Sequence, residues 1–171
     1  SLEKARELDP EDPSVLVELA EVERARERRE EAETILKDAL RLSPGHRAAT
    51  LALGELYEKT GRDDSASAVY TAALERRPTF AEAAFRLARV ARRAGAEAEE
   101  VRRYREAIRL DPTHVAARVE LGGALFARGE PEAAAEALRA ALARDPTHAR
   151  AHYYLAGALL KLGASEKALV A

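Results

Sequence analysis

The chain has 171 residues, of which 47% are hydrophobic and 34% charged, enough apolar material for a core and enough charge to keep it soluble, which excludes disordered and fibrous classes. Its 28 basic and 30 acidic side chains leave a net charge of -2 and a pI near 6.1, so no overall basic field would draw in nucleic acid. The absence of cysteine rules out disulfides, thiolate metal sites and a cysteine nucleophile, and no apolar run approaches the ~20 residues that span a bilayer, so neither a signal peptide nor membrane insertion is expected.

In chain order, "SLEKARELDP" reads as the second half of a helix stopped by Pro10. Beyond it, apolar residues at helical spacing predict first helices at about 14–27, 47–60, 81–94, 115–128 and 149–162, and second helices at about 31–42, 64–76, 98–110 and 131–143. Ala, Leu, Arg and Glu dominate both sets, and all four are strong helix formers. The chain closes on "SEKALVA", which reads as the first half of one more second helix.

These helices repeat. Pro10, Pro44, Pro78, Pro112 and Pro146 stand 34 residues apart, as do Leu19, Leu53, Leu87, Leu121 and Leu155. Each of these leucines is followed by a small residue, Ala20, Gly54, Ala88, Gly122 or Ala156. Further series are Ala5 to Ala141, the glycines 61, 95, 129 and 163, and a bulky slot at Leu2, Leu36, Tyr70, Tyr104 and Leu138. Glycine at the midpoint ends a first helix, where a left-handed residue is easiest without a Cβ. Asp63 or Pro131 then suits the start of the second, and proline stops it. Two departures bear on packing: Glu23 stands where later units have Tyr57, Ala91 and Leu125, and Glu27 stands in a glycine slot. A third is Glu100, in a slot otherwise held by Ala32, Ala66, Ala134 and Ala168.

A 34-residue helix-turn-helix with Leu-Gly/Ala, a mid-unit Gly, two spaced alanines and a terminal Pro resembles the tetratricopeptide repeat. The resemblance covers the whole chain. It implies an all-α, right-handed α-solenoid over residues 1–171, with a partial repeat 1–12, full repeats 13–46, 47–80, 81–114 and 115–148, and a partial repeat 149–171. First helices would line a concave groove and second helices the convex side. Both terminal repeats are incomplete and in matching phase, so the expectation is a segment of a longer array, or end-to-end self-association through uncapped helices. A soluble, cytoplasmic setting is expected.

Chemistry in the sequence is sparse. His46, His114 and His148 recur in the seam between hairpins, a whole repeat apart, and read as residues near a helix start. His148 and His152 share a spacing used by metal pairs, but no carboxylate or cysteine completes a site. Ser14, Ser43, Ser65, Ser67 and Ser165 lack an ordered base partner, and no Gly-rich phosphate loop is present. No catalytic residue, cofactor or metal is therefore expected.

The informative residues are on the first helices. The first full repeat offers Val17, Glu18, Glu21 and Arg24, and the second Leu51, Glu55, Glu58 and Lys59, an acidic stretch. The third offers Phe85, Arg86, Arg89, Arg92 and Arg93, with Glu82 one turn earlier. Val119, Glu120, Gly123, Phe126, Arg150, Tyr153, Tyr154, Gly157 and Leu160 follow, with glycines expected to open space beside the aromatic rings.

Two readings of the arginine row stay open. The arginines could be neutralised by Glu55, Glu58 or Glu120 of neighbouring repeats, giving a solvated charged lining. Alternatively Arg86, Arg89, Arg92 and Arg93 bind a carboxylate or phosphate of a peptide partner, with Phe85, Val119, Phe126, Tyr153 and Tyr154 as apolar anchors. Relatives that grip a carboxyl terminus use a lysine, asparagine and arginine set, and others an asparagine ladder; this chain has no asparagine, so neither mode carries over. The expected function is a protein- or peptide-binding scaffold for a partner with acidic and apolar residues. The alternative is a structural spacer or assembly arm of a larger protein, including one with an appended catalytic domain.

Overall fold

The computed structural model describes residues 12–170, with side chains as far as residue 163. The opening "SLEKARELDP", with Leu2, Ala5 and Pro10, lies outside the described residues. Within them the fold is all-α, nine helices and no strand. They are α1 (Pro13–Ala25), α2 (Arg29–Leu42), α3 (Arg47–Lys59), α4 (Asp63–Arg76), α5 (Ala81–Arg93), α6 (Glu97–Leu110), α7 (Val115–Ala127), α8 (Pro131–Leu142) and α9 (Ala149–Val170). Odd-numbered helices are the expected first helices, even-numbered ones the second. The chain divides into two compact units between Val90 and Ala91, within α5.

The turns follow from local chemistry. Gly61, Gly95 and Gly129 take φ of 70°, 69° and 78°, and Glu27 takes 63° in the corresponding slot of the first hairpin. Each left-handed residue lets the next N–H reach back to the carbonyl of the third-last residue of the preceding helix. These bonds are Arg28 N to Glu23 O, Arg62 N to Tyr57 O, Ala96 N to Ala91 O and Glu130 N to Leu125 O, all 2.9 Å. Second helices α2, α4 and α6 end two residues short of Pro44, Pro78 and Pro112, because the residue before a proline is pushed out of the helical region.

The seam histidines are helix caps. Nδ1 of His46, His114 and His148 accepts the N–H of Ala49, Ala117 and Ala151, each at 3.3 Å, taking the place usually held by a Ser or Asp oxygen. Preceding α5 the slot holds Phe80, which is buried instead. His152 Nε2 lies 2.8 Å from the Pro146 carbonyl oxygen.

The first unit's core joins Ala20, Leu36, Leu53, Leu56, Tyr57, Tyr70, Leu87 and Val90. Large residues seat against small ones: a Cβ on Gly54 would come within 2.3 Å of the Tyr70 ring, and in the second unit a Cβ on Gly122 would lie 2.4 Å from Leu138 Cγ. The two out-of-pattern carboxylates are buried but paired. Glu23 accepts from Arg26 and Arg28 at 3.1 and 3.3 Å, and Glu100 accepts from Arg92 at 2.8 Å, so their charge is compensated where burial alone would be costly.

One expected boundary is corrected. Gly163 does not end a first helix at about 162; α9 runs through it to Val170, so "SEKALVA" does not form a separate second helix. At Gly61 and Gly129 a following helix packs back on the first, and the left-handed glycine is what turns the chain. Gly163 stays helical, at a cost of only about 1 kcal/mol against alanine among strong helix formers.

Candidate functional site

On the first unit, the exposed edges of α1, α3 and α5 carry a lattice of opposite charges. Arg24 pairs with Glu21 at 2.7 Å and Lys59 with Glu55 at 2.7 Å. Arg86 donates to Glu82 at 2.8 Å and lies 3.9 Å from Glu58, whose carboxylate also accepts the Tyr70 hydroxyl at 2.7 Å. Burial works against the Arg86 charge, but the bond to Glu82 and the nearby Glu58 outweigh it and raise its pKa. Burial pushes the Tyr70 hydroxyl up, with Glu58 adding to the effect, so it stays a donor. Arg89 is half-buried and has no charged partner among the described residues of its unit.

On the second unit the lattice becomes a chain. Arg92 donates from Nε to Glu100 at 2.8 Å, and from Nη2 to Glu120 at 2.6 Å and to the Tyr104 hydroxyl. The other Glu120 oxygen accepts from Arg150, giving the sequence Glu100–Arg92–Glu120–Arg150. Burial disfavours the Arg92 charge, yet its carboxylate bonds hold the pKa above the usual arginine value. A notch of about 300 Å³ opens beside this chain, lined by Arg92, Glu97, Glu120, Gly123, Arg128 and Tyr154.

The aromatic residues adjoin the notch. Phe126 and Tyr154 have ring centroids 6.4 Å apart, and Tyr153 stands edge-on to Tyr154 at 5.5 Å. The expected space beside Gly123 and Gly157 is filled. A Cβ on Gly123 would meet the Tyr154 ring at 2.8 Å, and one on Gly157 the Phe126 ring at 2.9 Å, so the glycines seat this chain's own aromatics. Lys161 places its Nζ 4.4 Å from the centroid of the Phe126 ring.

Several expected site residues move. Phe85 and Val119 are 9% and 1% exposed, so both are core side chains that a partner cannot reach without parting the helices. Arg86 and Arg92 are engaged in ion pairs, two of them with Glu58 and Glu120, in line with the charged-lining reading. Arg93 and Tyr153 are exposed, while Phe126 and Tyr154 are half-buried. Sequence reasoning missed Glu100, Tyr104 and Lys161. Glu100 was signalled only as an acid in an alanine slot, and Lys161 by its phase with Lys59 and Arg93.

No group of three or more His, Asp or Glu among the described residues is arranged to hold a metal, and no described helix is long and apolar enough to cross a membrane.

Sequence profiles described as tetratricopeptide repeat match residues 23–84 and, in a second profile, 101–147 and 119–171. No curated protein sequence matches. Among solved structures, MamA protein is similar at 21% identity and TM-score 0.78, over 94% of this chain and 87% of that one. YrrB, described as a TPR protein with an unusual peptide-binding site, is similar at 21% identity and TM-score 0.73, over 97% and 84%. A MamA fragment from Desulfovibrio magneticus RS-1 aligns at 20% identity and TM-score 0.68, over 86% and 84%. At such identities the likeness concerns the fold.

Proposed function

The chain belongs to the tetratricopeptide-repeat family, and from that membership we infer that it is a protein-interaction scaffold working without a chemical step. Its first-helix faces receive a peptide segment with apolar and acidic residues. The observation that carries this reading is the half-buried Phe126–Tyr154 pair, bordered by Lys161 and by the exposed Arg150. Rigid aromatics beside a guanidinium are the usual composition of binding hot spots. Arg150 shares Glu120 with Arg92, so an incoming carboxylate would exchange one partner for another. The first-helix face of the first unit offers a cation of its own to an acidic segment, Arg89, which has no carboxylate partner there.

Fluorescence polarisation with short labelled peptides of mixed aromatic and acidic sequence tests this. Wild-type chain should bind a subset, and Phe126→Ala or Arg150→Glu should each weaken that subset by roughly tenfold. Arg89→Glu tests the first unit's face by itself and should weaken acidic peptides bound there. Binding that ignores all three substitutions would remove the first-helix faces as the docking surface.

A further inference from the structure

A second surface lies on the opposite side of the hairpins. In the second unit a notch of about 250 Å³ opens between second helices α6 and α8. Its floor is the buried Leu121 and Leu125 of α7, and its walls include Ile108, Ala137 and Ala140. Arg105 and Arg118 stand on its rim with Glu136 opposite. The first unit has an equivalent notch of about 350 Å³ between α2 and α4. Its Leu40, Thr50, Val69 and Ala72 each precede Ile108, Arg118, Ala137 and Ala140 by two repeats. The apolar notch is thus a product of the repeat, and its rim is what differs.

The rim charges differ in a way that matters for binding. Lys37, which holds the Arg105 phase in the first unit, is tied to Glu33 at 2.7 Å. Arg105 and Arg118 have no carboxylate partner among the described residues; Arg118 donates to the Pro112 carbonyl at 2.9 Å, a neutral acceptor that leaves its charge uncompensated. Arg86 and Arg92 on the first-helix faces are, by contrast, neutralised by acids within the chain.

We propose that the α6–α8 notch is a second docking site, taking an aliphatic side chain of a partner peptide next to a carboxylate. The aliphatic group sits over Leu121 and Leu125, where alanines leave room. The carboxylate lies under Arg105 and Arg118, with charge complementarity supplying the selectivity. Glu136 opposes it, so the site favours a single acid held toward the arginine side.

Amide NMR on the full chain tests this with two probes, the single-acid Ac-Glu-Leu-Leu-Asn-NH2 and its uncharged isostere Ac-Gln-Leu-Leu-Asn-NH2. The acidic probe should shift the amides of Ile108, Ala137 and Ala140 saturably, and the isostere should bind about 3–10-fold more weakly, a gap that narrows with salt. Arg105→Ala should reproduce the isostere's loss, and Glu136→Gln should tighten the acidic probe. Ala137→Ile, which imports the residue found at Ile35 in the same phase, should fill the notch without disturbing the fold. Equal response to both probes, no saturable shift at these amides in the millimolar range, or unchanged binding by Ala137→Ile would overturn the proposal. Shifts confined to Phe126, Tyr154 and Arg150 would overturn it too, while leaving the first-helix reading standing.

Discussion

Glu27 holds φ at 63° in a slot where Gly61, Gly95 and Gly129 hold 70°, 69° and 78°. An L-residue in this region costs roughly 1–2 kcal/mol, because Cβ crowds the following carbonyl. Glycine there removes that strain but widens the unfolded ensemble, giving back about 0.4–1 kcal/mol. The exposed Glu27 side chain makes no described hydrogen bond or ion pair that would be lost. Glu27→Gly should therefore stabilise the first hairpin by about 0.5–1 kcal/mol. In a chain this long that is a rise of about 1–4 °C in Tm if unfolding is cooperative. Because repeat arrays can unfold piecewise, hydrogen exchange of the α1 and α2 amides is the sharper assay, and protection should rise there first. Glu27→Ala is the control: it removes the carboxylate but keeps Cβ, and should leave protection nearly unchanged. A Glu27→Gly chain no more protected than wild type, or a Glu27→Ala chain stabilised to the same extent, would refute the strain argument.

Glu33 is partly desolvated, which alone would raise its pKa, but hydrogen bonds from Lys37, Arg62 and Tyr57 hold the carboxyl down at about 2. A depressed carboxyl stabilises the fold above its ordinary pKa of 4.5 and loses that contribution as pH falls toward 2, so Glu33→Gln should cost about 1–2 kcal/mol at neutral pH and flatten the acid limb of a urea-titration series. Gly54→Ala pushes a methyl into the Tyr70 ring, whose hydroxyl is tied to Glu58, and should lower stability by about 1–3 kcal/mol in denaturant unfolding. His114→Ala removes the acceptor for the Ala117 N–H and should cost about 1 kcal/mol at neutral pH, whereas His114→Asn, another good cap, should restore most of it.

The repeat was legible because it is written in several registers at once. Prolines, glycines and small-large slots with one period fix every described helix end but that of α9 to within a residue or two, as at 64–76 against Asp63–Arg76. The site was legible only as a list of side chains. Whether Arg92 meets solvent or Glu120 depends on a partner 28 residues away, and whether Gly157 is an opening depends on a ring 31 residues earlier. Phe85 and Val119 were assigned to the wrong face because a single residue turns a helix by about 100°. The seam histidines were rightly placed near helix starts, but an imidazole nitrogen as the capping acceptor has no compositional signal.

The seating of a small residue of a first helix against a bulky one 16 positions later, at Gly54 with Tyr70 and at Gly122 with Leu138, makes the two positions a single unit of inheritance. A crossover between repeats that falls inside a hairpin would separate them. Grafting the α1 segment carrying Ala20 onto the α4 segment carrying Tyr70 brings a methyl to the place where a Cβ on Gly54 would come within 2.3 Å of the Tyr70 ring. Shuffled arrays should therefore keep more of their stability when breakpoints fall at the histidine-capped seams than when they fall at the left-handed turns.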